Sequence, residues 1–235
     1  MRQTAIRRTN VPNFQKQWNW QSPICWSHHV TSDSSKDMEH VSLLQDCVML
    51  TFTEEVMHKC LHFSCGDEDL NSFFTEDAFL YAEDMLGKTY CWVTKEKPYR
   101  IVALITLAND SIKAHKLSSS TRNKVQRNIS NAKRGRSYPA VLIGRIGVNE
   151  DFQGFHVGSQ LLDFVKAWFC HKDNKTGCRF IVVDAYNKQR VLSYYANNGF
   201  KFLFKTEEDE KLYYEVDANS DIHTRLMYFD LKFKK

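Results

Sequence analysis

Between Arg145 and Leu162 the chain runs Arg-Ile-Gly-Val-Asn-Glu-Asp-Phe-Gln-Gly-Phe-His-Val-Gly-Ser-Gln-Leu-Leu, a succession of residue types suited to holding an anion. Ala140-Val141-Leu142-Ile143 and Ile146-Gly147-Val148 form an almost unbroken apolar run, which reads as a buried strand. A short polar loop, Asn149 to Gln153, follows. Val157, Leu161, Val165 and Trp168 then recur at helical spacing and predict an amphipathic helix. The first turn of a helix leaves N–H groups without partners, and the helix dipole favours negative charge beside them. A strand, a turn of small residues and a helix amino terminus therefore point to a pyrophosphate-bearing ligand.

Few other residues compete for a chemical role. His58, Cys60, His62 and Cys65 are metal-ligating types, but no second pair stands at zinc-finger spacing, so no metal is expected. There is no Gly-x-Ser-x-Gly turn and no Walker loop. The tyrosine pair Tyr194-Tyr195 lies in a helical stretch, where a tyrosine is by default a core residue.

The elements that must carry these residues form an α/β (α+β) pattern. Cys47 to Phe52 predicts a first strand, and His58 to Cys65 a short strand or a loop. Asp67 is an N-cap for a helix running to about Leu86, with Gly87 as its stop. Thr89 to Thr94 and Ile101 to Leu107 flank Lys95-Glu96-Lys97-Pro98 as a hairpin. After the central strand and its helix come a strand at Phe180 to Ala185 and a helix over 187–198 closed by Gly199. Strands at Phe200 to Phe204 and Arg225 to Leu231 complete the set, with an acidic turn at Thr206 to Lys211 between them. The expectation is a mixed, mostly antiparallel sheet with flanking helices, in one domain over 46–235. Residues 1–45, basic and Trp-rich, are expected to be a poorly ordered leader.

Composition bounds the class. The 235 residues are 43% apolar and 26% charged, long enough for one α/β domain and an appendage. No apolar run approaches a membrane span, and no secretory signal is visible. Seven scattered cysteines suit free thiols in a reducing cytoplasm. The net charge of +4 is unevenly spread. Lys113, Lys116, Arg122, Lys124, Arg127, Lys133, Arg134 and Arg136 form a block with no acidic residue among them, able to draw in a polyanion or simply to be solvated.

Two motifs carry a family resemblance. Ile146-Gly147-Val148 followed by Gln153-Gly154-Phe155-His156-Val157-Gly158 resembles motif A of the GCN5-related N-acetyltransferase (GNAT) superfamily, in which a strand runs into Gln/Arg-x-x-Gly-x-Gly/Ala. His156 stands where that pattern has its first glycine, while Gly158 keeps the second, a departure that costs strain wherever a positive φ is needed. Ser193-Tyr194-Tyr195-Ala196-Asn197-Asn198-Gly199-Phe200 resembles the superfamily's Phe-Tyr-x-x-x-Gly-Phe. The resemblance implies a GNAT-like fold and acetyl-CoA as the acetyl donor. It implies a pyrophosphate cradle of main-chain N–H groups from Gly154 to Ser159, with Gly158 small enough for close approach. Main-chain groups of Ile146, Gly147 and Val148 would take the pantetheine arm where the central strand parts from its neighbour. Tyr195, four residues before Gly199, matches the tyrosine that protonates the leaving thiolate, and Tyr194 is the adjacent alternative. Asn187 resembles a cofactor-contacting asparagine, though it lies eight residues before Tyr195 where seven is common, and helix capping is its other reading. Glu150, Asp151 and Asp184 are candidate bases beside the strand ends.

Phe63 to Phe74 and Tyr138 to Val148 further resemble the branch that contains toxin-type acetyltransferases of toxin–antitoxin modules. That implies an amine-bearing acceptor, with aminoacyl-tRNA held by the Lys113–Arg136 block as the specific version, and it admits a homodimer. A non-catalytic acetyl-CoA sensor and a nucleic-acid-binding module are the competing readings.

Overall fold

The computed structural model describes residues 41–232; the 1–40 part of the expected leader lies outside the described residues. The sheet has seven strands in the order β1-β2-β3-β4-β5-β7-β6. These are β1 (Cys47–Thr51), β2 (Lys88–Thr94), β3 (Ile101–Ile112), β4 (Tyr138–Val148), β5 (Phe180–Tyr186), β6 (Lys201–Phe202) and β7 (Thr224–Asp230). Only β4 and β5 pair in parallel, so the sheet is mixed and mostly antiparallel, as the pattern predicts. A parallel pair needs a crossover, and α5 (Val157–Cys170) supplies it.

The helices divide between the two faces. Alternation along β3 separates Ile105 and Leu107, which join α5 and α6 (Gln189–Asn197) in one core, from Leu104 and Ile112 on the other side. On that second face lie α1 (Glu54–Lys59), α2 (Glu68–Ser72) and α3 (Ala78–Glu83), but β2 and the start of β3 are covered mainly from the segments between elements, by Phe52, Phe63 and Phe74, with Ala78 from α3. Further along, α4 (Ser119–Gln126) and α7 (Glu207–Tyr214) cover the other end with Leu117, Val125 and Tyr213. Val41 and Leu43 are buried against the first face, where the Gln160 amide of α5 bonds to both of their backbones.

Several elements differ from expectation, and mostly through capping. Glu54–Lys59 is a helix because Thr53 accepts from the Val56 N–H, with acids in its first turn and His58 and Lys59 in its last. That leaves only Leu61 of the expected strand in a bridge, with Arg100. Thr206 caps α7 in the same way, with four acids in the first turn, so the expected acidic turn is a helix. Asp67 does cap α2, but a π-helical turn at Phe73–Asp77 separates it from α3. The chain then leaves the helix at Met85, φ 57°, short of Gly87. The strand expected at Phe200 to Phe204 shrinks to Lys201–Phe202.

Candidate active site

The site follows from one irregularity in β4. Ile143 pairs with Leu107 and Arg145 with Thr106, so Gly144 is an extra residue, a bulge that twists and bends the strand. On the other side β4 pairs with β5 at Ala140, Val141 and Leu142 only, although β4 continues to Val148 and β5 to Tyr186. The strands therefore part beyond Leu142 and Val182. Main-chain groups alternate in direction along a strand, so half of those between Ile143 and Val148 point into the gap and find no ladder partner there. Ile146 and Val148 put their side chains into the α5 core, whereas a Cβ at Gly147 would stand 3.0 Å from Phe74 on the opposite face.

Beyond the gap the chain turns into α5. Gln153 fixes the turn by donating its amide to the carbonyls of Val148 (3.0 Å) and Cys65 (2.9 Å). Gly154 has φ +86°, with nothing within 4 Å of where a Cβ would stand. Phe155 packs against the core, Val157 is buried, and Ser159 lies in the first turn. His156 is the N-cap residue, in the left-handed region at φ 58° and ψ 15°, with its ring exposed and no side-chain cap bond. The strain that this position imposes on a non-glycine residue is therefore present. An α5 start with no side-chain cap keeps its first N–H groups and its dipole available to an outside anion.

The tyrosine pair joins α6 to that helix start. The Tyr194 hydroxyl donates to the Gly158 carbonyl at 2.8 Å, and a Cβ at Gly158 would come within 2.9 Å of the Tyr194 oxygen. The close approach that Gly158 permits within the chain is thus that of a phenol ring. Tyr195 is 3% exposed and packs between Tyr194 and Phe200 at ring separations of 5.0 and 5.4 Å. Burial raises the hydroxyls of both tyrosines far above the usual phenol range.

Asn187 is not brought to the α5 terminus by its side chain. Its amide donates to Glu207 (2.9 Å) and to the Ile222 carbonyl (3.1 Å), tying the end of β5 to α7. Lys188, not Asn187, is the N-cap residue of α6. Of the acids near the strand ends, Glu150 accepts from the Ser64 hydroxyl and Asp151 pairs with Arg100. Asp184 instead accepts from the Tyr214 hydroxyl at 3.3 Å. Desolvation, reinforced by Asp110, raises its carboxyl above the usual range although the residue is exposed.

The basic block is partly structural. Arg122 donates to the carbonyls of Ala114 and Leu117, Lys116 pairs with Glu215, and Lys124 donates to the Phe202 carbonyl. Burial, with Lys201, Lys205 and Arg127 close by, lowers the Lys124 ammonium. Lys201 and Lys205 thus extend the block from a segment that the sequence places some 75 residues away. Among the described residues no cluster could hold a metal ion, and no helix is long and apolar enough to cross a membrane.

Neither a protein-family model nor a curated protein matches this chain in sequence. Solved structures do match in fold. A Tyr-to-Phe variant of KacT superposes with a TM-score of 0.59 at 19% identity, over 80% of this chain and 96% of that one. AtaTR bound with AcCoA gives 0.57 at 18% identity, over 80% and 95%. AtaT complexed with acetyl-methionyl-tRNAfMet gives 0.55 at 16% identity, over 80% and 96%. The fold is that of KacT and AtaT, and AtaT is a toxin, the kind of protein that Phe63 to Phe74 and Tyr138 to Val148 resemble.

Proposed function

We propose that the chain is an N-acetyltransferase moving an acetyl group from acetyl-CoA to a primary amine by direct attack in a ternary complex. The observation that carries this reading is the parting of β4 from β5 directly ahead of a helix start that lacks a side-chain cap. Main-chain N–H groups from Gly154 to Ser159 would hold the pyrophosphate, and Ile146, Gly147 and Val148 the pantetheine arm. Acetyl-CoA supplies the thioester. As the amine nitrogen bonds the carbonyl carbon and the C–S bond breaks, Tyr195 gives its proton to the departing sulfur; the amine gives up a proton to solvent, and solvent returns one to the phenol, whose affinity for it burial raises. Asn187 would reach the cofactor only after giving up its present partners. The described cysteines are all free thiols, which suits work in the cytoplasm.

Transfer to the α-amine of aminoacyl-tRNA is the more specific version. It is favoured by the Lys124, Arg127, Lys201 and Lys205 grouping, which extends the Lys113–Arg136 block, and by an AtaT structure that holds an acetylated tRNA. The test is incubation with labelled acetyl-CoA and a panel of aminoacyl-tRNAs, polyamines and peptides. Tyr195→Phe is expected to lower CoA release by roughly 100-fold or more, with acetyl-CoA affinity unchanged. Binding of acetyl-CoA without turnover on any amine would favour the sensor. Salt-dependent tRNA binding in a protein that takes no acetyl-CoA would favour the nucleic-acid module.

A further inference from the structure

The sheet face opposite α5 and α6 carries one cluster of buried residues beside α1–α3 and another beside α4 and α7; Arg145 of β4 is half-buried and Asp184 of β5 exposed on this face. Parity along β3 puts Thr106 and Asp110 on this face, and the pairing of Thr106 with Arg145 puts Arg145 there too. Parity along β5 does the same for Asp184 and Tyr186, which share the side of Phe180 and Val182. Tyr186 closes one margin by donating to Asp69 of α2 at 2.7 Å.

Two charges stand on the walls of the gap. Arg145 lies three residues beyond Leu142, the last β4 residue paired with β5, and Asp184 two residues beyond its partner Val182. The Arg145 guanidinium lies 5.1 Å from the centre of the Phe73 ring and donates to the Gly144 carbonyl. Its Nε is buried without a hydrogen bond, and among the described residues no carboxylate pairs with it. A half-buried guanidinium lacking a counter-anion is costly, and its planar fork suits an arriving carboxylate or phosphate. Asp184 has the Tyr214 hydroxyl as a partner but no cation, also among the described residues. Asp110 adds negative potential beside it. Glu150 and Asp151 are occupied elsewhere, by Ser64 and Arg100.

We propose that Arg145 and Asp184 select the acceptor: a primary amine whose ammonium meets Asp184 and whose neighbouring anionic group meets Arg145. This rests on the acetyltransferase reading, because the gap between the two side chains is where that reading puts the thioester. The anionic group is a carboxylate or a phosphate, and matched acceptors separate the two. CoA release by the full chain is measured with leucine against leucinamide, and with O-phosphoethanolamine against ethanolamine. The expected result is a preference of about tenfold or more in kcat/KM for the anionic member of one pair, and the pair that shows it identifies the anion. Arg145→Met should abolish that preference while sparing the neutral amines, and Arg145→Lys should restore part of it. Asp184→Asn should raise KM for charged and neutral members alike. Acetyl-CoA affinity, measured by calorimetry, should be unchanged in all three variants, which also shows that they fold. Equal use of both members by the wild-type chain would overturn the proposal. So would an equal loss on both in Arg145→Met, or acetyl-CoA binding with no turnover of any of the four amines. A wild-type chain that binds no acetyl-CoA would instead sink the acetyltransferase reading itself.

Discussion

His156 and Asp184 are both held in unfavourable states. A left-handed residue other than glycine costs about 1–2 kcal/mol, and His156 adopts that conformation with an exposed ring and no cap bond in return. His156→Gly removes the strain but adds freedom to the unfolded chain, so stability should change by less than ~1 kcal/mol. Acetyl-CoA binding, followed by calorimetry, should be equal or tighter; a tenfold loss would show that the imidazole itself is a ligand. For Asp184 the carboxyl is raised by burial first and by Asp110, with the Tyr214 hydroxyl opposing. Glu210 of α7 shares the same negative surroundings. A folded-state carboxyl pKa above the unfolded value means that the folded form binds the proton more tightly. The stability this contributes is complete below the unfolded pKa and is lost as pH rises through the folded one. Asp184→Asn should therefore raise the melting temperature at pH 7 and have little effect near pH 3. The gain should stay below ~1 kcal/mol, because the residue remains partly solvated. Thermal scans across that range check it, and a variant benefit that grows on acidification would reverse the sign. Such residues are legible in a sequence to different degrees. Only the resemblance singles out Tyr195 from its neighbour Tyr194, whereas the departure of Asn187 toward Glu207 depends on a helix that the sequence reads as a turn.

Among the elements, the joint between α5 and α6 is the one that the site depends on most. The Tyr194 hydroxyl satisfies the Gly158 carbonyl, and its ring lies where a side chain at 158 would go. Tyr194 is enclosed by Tyr195 on one side and α5 on the other, so it has little room to yield. Gly158→Ala should then cost about 1–3 kcal/mol through overpacking, and the displaced α6 should carry Tyr195 with it. Chemical denaturation should show the loss, together with a fall in kcat larger than any change in acetyl-CoA affinity. An alanine variant of wild-type stability would mean that α6 shifts freely. The strands other than β6, and α5, are readable in advance because apolar runs and periods decide them, and α6 because Gly199 closes it. The short helices α1 and α7 are not, since α1 contains no buried residue and α7 buries only Glu210. Their existence depends on Thr53 and Thr206 as caps and on first-turn acids, local effects of about 1 kcal/mol that leave no period to read. The gap between β4 and β5 was equally hidden in composition. Only the resemblance implies it, whereas in the fold it lies just beyond Gly144, the bulge residue of β4.

At the scale of the whole molecule, three clusters of buried residues hang on one sheet, so the sheet cannot open on one face without disturbing the other. Cysteines report on this because they are distributed between centre and margin. Cys91 of β2 lies under the α1–α3 cluster and is fully buried; Cys47 of β1 joins the α5 side. Burial pushes the Cys91 thiol up to about 12 and the Cys47 thiol up to about 11. At pH 8 almost none of either is thiolate, the form that attacks an alkylating agent, and no reagent reaches them until the sheet unfolds. Cys170, at the end of α5, is exposed and only moderately perturbed in the same direction. Iodoacetamide at pH 8 should therefore modify Cys170 first among the described cysteines. Cys47 and Cys91 should react together, at the rate of global unfolding, because β1 and β2 are adjacent strands of one ladder. Mass spectrometry of timed samples, with and without urea, resolves the order. If Cys47 reacted well ahead of Cys91 in native buffer, β1 would be opening on its own. The edge of the sheet that supports Val41 and Leu43 would then be a separate unit rather than part of the same cooperative fold.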